Sequence, residues 1–255
     1  MLELILAFMV FGLGAAMASF YIAQIYRIEN ELRFPEFVTK GSFCEKCDKQ
    51  LVWHELIPII SYLIHNGKCS KCGYKVPITY PLFEFVNGMT LLLLYMYNLS
   101  FEYFVASQLL FFLAAYDFYF KGFPKQIMHA FLGLSVIWGI YRFFFTYEMN
   151  WIVIVVGLSV VLAVVVLNLL KRSFGVGDLL IVLMMSFVFT LKEFVGWLFF
   201  SIILAGVFAL TLLILKKVKR KDTIPFVPFM HLAFLLVFIL EPQLDRYFTY
   251  LVFLW

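Results

Sequence analysis

Charge is what this chain has least of. Of its 255 residues only 14% are Asp, Glu, Lys or Arg, while 64% are hydrophobic and 20% aromatic. Soluble domains are nearer half apolar and a quarter charged, and a mean hydropathy of +0.96 excludes that class. Cysteine is confined to four residues and histidine to another four, His54, His65, His129 and His231, which show no ligand spacing. Glycine forms no nucleotide-binding signature, and nothing points to nucleic acid as a partner. The amino terminus lacks the basic start of a cleavable signal peptide and carries Glu3, so the apolar stretch 4–25 is expected to be a retained first helix.

What the chain does have is a series of apolar runs. Helices are expected near 2–25, 80–98, 101–119, 126–146, 150–170, 178–191, 194–215 and 226–240. Several reach the roughly 20 residues that cross a bilayer, and Trp151–Leu170 carries no charge at all. The tail Tyr247–Trp255 is too short to cross alone. The fold class expected is an all-α polytopic membrane protein of about eight transmembrane helices. A small polar domain follows the first helix, giving a division into 1–26, 27–79 and 80–255.

Basic residues set the topology. With the amino terminus outside, 17 of the 20 Lys and Arg fall in segments 27–79, 119–126, 171–177 and 216–225, leaving Arg142, Lys192 and Arg246 on the other side. That is the bias of the positive-inside rule, so the polar domain is expected in the cytoplasm. The same count places two aspartates at one depth. Asp117 closes the third helix as it reaches the cytoplasm, and Asp178, in Gly175-Val176-Gly177-Asp178, opens the sixth as it leaves.

Cys44-Glu45-Lys46-Cys47 and Cys69-Ser70-Lys71-Cys72 are separated by 21 residues. Paired C-x-x-C knuckles present four thiolates tetrahedrally, the pattern of a closed structural zinc site, and Lys46, Lys49, Lys68 and Lys71 offset the charge. Disulfides compete, but a cytoplasmic domain is kept reduced. A redox dithiol needs only one such motif. Asp178 has a bland reading as the N-cap of the next helix, and Asp117 as a helix-end residue. Against that, ionisable groups at membrane depth are costly and mark function. Two close carboxylates share a proton, so one can activate water while the other polarises a carbonyl. Glycines at 175 and 177 would let a substrate strand approach. Glu84 faces a polar pocket or a boundary, and Lys216–Lys221 is most simply a positive-inside anchor. The alternatives are a transporter with the aspartates as a proton relay, and an assembly protein with a docking zinc domain.

An ordered set of motifs spans nearly the whole chain. It runs Ala18-Ser19-Phe20-Tyr21 with Arg27, the C-x-x-C pair, Glu55-Leu56-Ile57-Pro58-Ile59-Ile60-Ser61-Tyr62-Leu63, Gly67-Lys68-Cys69 and Tyr80-Pro81-Leu82-Phe83-Glu84. Ala115-Tyr116-Asp117, the G-x-G-D element and Ile224-Pro225-Phe226-Val227-Pro228 complete it. This set resembles the type IV prepilin leader peptidases, G-x-G-D aspartyl proteases, in the look of the Gram-positive competence-type enzymes. The resemblance implies a multi-pass enzyme of the bacterial cytoplasmic membrane that removes the leader of prepilins or pseudopilins after its terminal glycine, on the cytoplasmic side. Asp117 and Asp178 take the catalytic positions, and Cys44, Cys47, Cys69 and Cys72 the zinc positions. S-adenosylmethionine is the cofactor where the new N-terminus is then methylated. The chain departs from the family at Ile22, Leu180, Val227 and Pro124-Lys125, none of them a catalytic carboxylate.

Overall fold

The structure is a computed structural model that describes residues 1–30, 41–123, 125–141, 144, 151–171, 175–219 and 222–253. The chain is helical: α1 Leu2–Glu29, α2 Ile60–Ile64, α3 Thr79–Met96, α4 Phe101–Phe120, α5 Lys125–Tyr141, α6 Trp151–Lys171, α7 Val176–Met185, α8 Leu191–Ile214 and α9 Val227–Phe253. Among the described residues, β structure is limited to two isolated bridges, Phe43 with Gln50 and Lys68 with Lys75. By length and composition α1, α4 and α8 can each cross a membrane, and shorter apolar helices lie at Ile127–Tyr141, Trp151–Val166 and Val227–Leu240. Five of the basic residues expected inside, Arg33, Lys40, Arg172, Arg220 and Lys221, lie outside the described residues, as do Arg142 and Pro124.

Among the limits that differ from the sequence expectation, one has a clear local reason. The run 178–191 was expected as one helix, yet α7 ends at Met185. Thr190 then opens α8 with a capping box, its backbone N–H donating to Glu193 Oε2 at 2.8 Å and its hydroxyl accepting from the Glu193 N–H. This threonine–glutamate pairing satisfies otherwise orphaned donors, so a new helix starts where apolarity alone suggests continuity. Tyr103 Oη also donates to the same carboxylate at 2.9 Å. At the carboxyl end, α9 continues to Phe253, into the tail that was expected to stand apart.

The chain clusters into two units, 1–99 and 100–255. In the first, α1 packs along α3 at a distance only glycine permits. A Cβ on Gly14 would stand 2.6 Å from the Asn87 carbonyl oxygen, and one on Gly88 would stand 2.7 Å from the Phe11 ring. The buried Asn87 amide donates to the Gly14 carbonyl at 2.9 Å. Small residues that let backbones meet, glued by a polar side chain, are how apolar helices associate where no water is expelled.

In the second unit α9 packs on α4 and α8, while α7 is flanked by α5 and α6. Its core is aromatic. Phe189, Trp197, Phe234 and Phe238 are buried against one another, and Trp197 Nε1 donates to the Met230 carbonyl at 2.8 Å.

The glycine contact gives a paired prediction. Gly14→Ala places a methyl against backbone that cannot yield, costing ~1–3 kcal/mol. Gly12→Ala, which meets nothing within 4 Å, costs nothing and gains helix propensity. Melting temperatures of the detergent-solubilised protein should therefore fall only for Gly14→Ala; equal shifts would refute the close approach.

Candidate active site and metal centre

Asp117 lies one turn from the end of α4 and is buried, 6% exposed. Its own carbonyl accepts the Lys121 N–H at 2.9 Å, where Lys121 caps the helix in the left-handed region at φ 53. That conformation favours glycine, and the lysine in it also brings a cation electrostatically close to the Asp117 carboxylate. The Oδ2 atom accepts the backbone N–H of Val227 at 3.2 Å. Val227 is the first residue of α9. One of the free donors of a helix start is thus aimed at the aspartate.

Asp178 stands three residues past Gly175, which is the actual N-cap of α7. The bland reading of Asp178 as N-cap is therefore corrected by three positions. Its carboxylate folds back over the helix start, so that a Cβ on Gly175 would meet Oδ2 at 3.3 Å. At Gly177 the need for glycine is steric, because a Cβ there would lie 2.5 Å from the Phe123 ring. Phe123 follows the end of α4, so the space Gly177 leaves open lets the start of α7 close on the segment just past Asp117. Asp178 and Asp117 are thereby set at neighbouring helix ends.

In the first unit the two cysteine knuckles have the same local architecture. The Cys44 N–H donates to the Lys49 carbonyl at 2.9 Å and the Cys44 carbonyl accepts from Asp48 at 3.0 Å. In the second, Cys69 and Tyr74, then Cys69 and Gly73, make the same bonds at 2.9 and 3.0 Å. The fourth residue after each leading cysteine has positive φ, 53 at Asp48 and 69 at Gly73. This turn points both sulfurs of each knuckle one way. The four Sγ atoms lie within 4.8 Å of one another, with Cys44–Cys72 and Cys47–Cys69 at 3.9 Å.

Tetrahedral zinc with sulfur at ~2.3 Å sets sulfurs ~3.8 Å apart, so the donor set fits a metal ion of that kind. All four cysteines are free of disulfides. Backbone N–H groups of Cys72 and Lys71 bring the Cys69 thiol down to about 6, which favours the thiolate that a metal requires. A polar clasp joins the knuckles. Lys49 Nζ donates to Glu55 Oε1 at 2.6 Å and to Ser70 Oγ at 2.5 Å, and Ser70 donates to the same Glu55 oxygen. Those bonds hold the Glu55 carboxyl down at about 2.

The remaining candidates separate. Glu84 is buried on α3 and accepts the Ile59 N–H at 2.7 Å, beside a cavity within the first unit that it helps to line. His231 is buried on α9, edge-on to Phe111 with centroids 5.3 Å apart. Residue spacing alone did not reveal the Val227 donor, the Phe123–Gly177 contact or the Glu84–Ile59 bond. The Thr190-x-x-Glu193 capping signature was there to be read.

With this geometry in place, comparisons with known proteins are informative. Residues 12–98 match the family model of the bacterial peptidase A24 N-terminal domain. The chain is similar to the prepilin leader peptidase/N-methyltransferase of Bacillus subtilis (strain 168), 25% identical over 224 residues, which cover 86% of this chain and 88% of that protein. It is 32% identical over 83 residues to the protein of the same name from Myxococcus xanthus (strain DK1622), covering 32% of this chain and 24% of the relative. With the Neisseria gonorrhoeae protein, also of that name, it is 38% identical over 61 residues, 24% of this chain and 21% of the relative. No solved structure matches significantly. The resemblance carried by the motifs is borne out.

The cysteine geometry predicts one bound metal ion per chain, read by elemental mass spectrometry on protein purified without added metal. Replacing any one of Cys44, Cys47, Cys69 or Cys72 by Ser should lower that content severalfold, as should a strong chelator. Full metal occupancy in a single-cysteine variant would remove that cysteine from the ligand set.

Proposed function

We propose that this chain is a prepilin leader peptidase, an aspartyl endopeptidase working at the cytoplasmic boundary of the bacterial plasma membrane. The observation that carries the reading is the approach of Asp117 and Asp178 from two different helices, near enough for their charges to interact. In this reading the two carboxylates share one proton and titrate as a unit, since closely placed like charges resist ionising together. The ionised carboxylate takes a proton from water as the water oxygen attacks the scissile carbonyl. The protonated carboxyl hydrogen-bonds to the carbonyl oxygen and donates its proton as negative charge develops there. The Val227 N–H keeps one lone pair of Asp117 occupied and fixes the rotamer of that carboxylate.

The substrate is a type IV prepilin or pseudopilin, cut after the glycine that ends its basic leader. Its leader stays in the cytoplasm while its apolar helix enters the bilayer. The enzyme crosses the membrane about eight times, with the first helix at 1–26, the cysteine domain at 27–79 and the peptidase part at 80–255. Cys44, Cys47, Cys69 and Cys72 would hold Zn2+ in a structural role, since four protein sulfurs would leave it no open position for catalysis.

A second activity, methylation of the newly exposed amine, is supported by the printed names of the relatives. S-adenosylmethionine when bound supplies a methyl group on a sulfonium, which a neutral amine can take with loss of the neutral thioether. No separate observation favours the transporter reading.

Purified protein in detergent, incubated with a prepilin, tests the peptidase. Asp117→Ala and Asp178→Ala should each reduce cleavage by roughly 10²–10⁴-fold with melting temperatures near wild type. The product from wild type should gain one methyl only when S-adenosylmethionine is present. Cleavage persisting at the wild-type rate in either variant would refute the aspartyl mechanism.

A further inference from the structure

The short helix α2 keeps its polar side inward and its apolar side outward. Ser61 and Tyr62, with His65 that caps it, line the cavity of the first unit. Leu63 and Ile64 are each 67% exposed, and Ile60 is exposed with them. Residues three and four apart share a helix face, so Ile60, Leu63 and Ile64 form one apolar stripe. The single helical turn Trp53–Glu55 packs on α2, and Trp53 is 77% exposed. Ile78, immediately before α3, is exposed as well.

Local structure holds α2 in that rotation. Gly67, at φ 64, leaves room for the Tyr62 ring, which a Cβ there would meet at 2.7 Å, and its N–H donates to the Tyr62 carbonyl at 2.8 Å. At the other end of the helix, Ile59 occupies the left-handed region at φ 62. A β-branched residue stays there only when its surroundings enforce it. Glu84 of α3 does so by accepting the Ile59 N–H at 2.7 Å. A roll that buried Leu63 and Ile64 would disrupt both ends. In water an apolar stripe held outward is unfavourable; among acyl chains it is not.

We propose that the outward face of α2, together with Trp53 and Ile78, is seated in the interfacial layer of the lipid bilayer. Position argues for lipid as the occupant. α1 is long and apolar enough to cross a membrane and α3 packs along it, so the segment between Glu29 and Thr79 leaves and re-enters at one membrane face. Ile78, Leu82 and Phe85 fall at i, i+4 and i+7 and all three are exposed. They make one apolar side that runs from the cysteine segment onto α3. Trp53 fits the same place, since tryptophan gathers at the membrane–water boundary, its ring in the apolar layer and its N–H toward the headgroups. The cysteine segment then rests on the bilayer rather than standing in water beside it, held by an apolar face as interfacial helices are.

The test reconstitutes the full-length protein without substrate, one chain per phosphatidylcholine nanodisc, with some of the phosphatidylcholine carrying a diazirine in its acyl chain. Adducts formed on illumination are mapped by peptide mass spectrometry and compared with those from a water-soluble diazirine. Lipid adducts are expected on Trp53, Ile60, Leu63 or Ile64, alongside those on exposed α1 residues such as Phe8. Combining Leu63→Asn with Ile64→Asn should lower lipid labelling of 53–64 severalfold while labelling of α1 is unchanged. Labelling of 53–64 by the water-soluble reagent alone would overturn the proposal and leave the face open to water. Labelling by neither reagent would overturn it too, and would show the face covered by another part of the same chain, since the disc holds no second copy and no substrate helix.

Discussion

Two carboxylates placed at neighbouring helix ends must be held there by something other than their own chemistry. Here the restraint is steric and dipolar. Phe123 occupies the space that Gly177 leaves empty, which brings the start of α7 against the end of α4. Val227 brings the start of α9 to the same place, its N–H on Asp117 at 3.2 Å. Helix starts carry unpaired N–H groups and a partial positive charge, so two such ends at one place offset part of the cost of holding carboxylates away from bulk water. The long apolar packing of α9 on α4 and α8 then fixes those ends. A glycine at 177 is required whether or not a substrate ever approaches it.

How much of this could be read beforehand follows from the range of each interaction. Helices are written in runs of apolar residues, and those were legible to within a few residues for α3, α4 and α6. The cysteine knuckles were legible because the chain has only four cysteines and they fall in two C-x-x-C pairs. Asp117 and Asp178 were legible as a pair because topology counted them to one depth. The break at Met185 was missed because apolarity continues across it, while the cause is a polar capping box at Thr190 and Glu193. The donors on Asp117 and Glu84 were not legible in principle. Both are backbone N–H groups far along the chain, of Val227 and Ile59, and a backbone group leaves no mark in the sequence.

The two units solve the same problem, keeping polar chemistry in an apolar chain, by different means. In unit 100–255 polar groups are few and deeply placed. Glu193 there is held by Thr190 and Tyr103, and Asp117 by Val227. In unit 1–99 polar groups are concentrated around the knuckles and linked in a chain, Lys49 to Glu55 and Ser70, Tyr80 to Glu45, Glu84 to Ile59. Every link joins the cysteine segment to itself or to α3. A metal ion held by the four sulfurs would supply rigidity that so small an apolar core cannot, because a loop-rich segment of this length buries too little to fold on hydrophobic contact alone.

That arrangement gives the cysteine segment a definite physical meaning. A closed four-sulfur site has no vacancy for substrate or water, so its contribution is to hold shape. The shape it holds is part of the wall of a cavity, which Cys44 and Cys69 line together with Glu84 and Tyr80. Strain at Ile59 says the same from another direction. A left-handed isoleucine costs of order 1–3 kcal/mol, and the Glu84 carboxylate that accepts its N–H is a buried group that itself resists desolvation. Two unfavourable features that satisfy each other at the edge of one cavity hold its wall in place independently of the packing of α1 on α3, which Gly14 and Asn87 already secure.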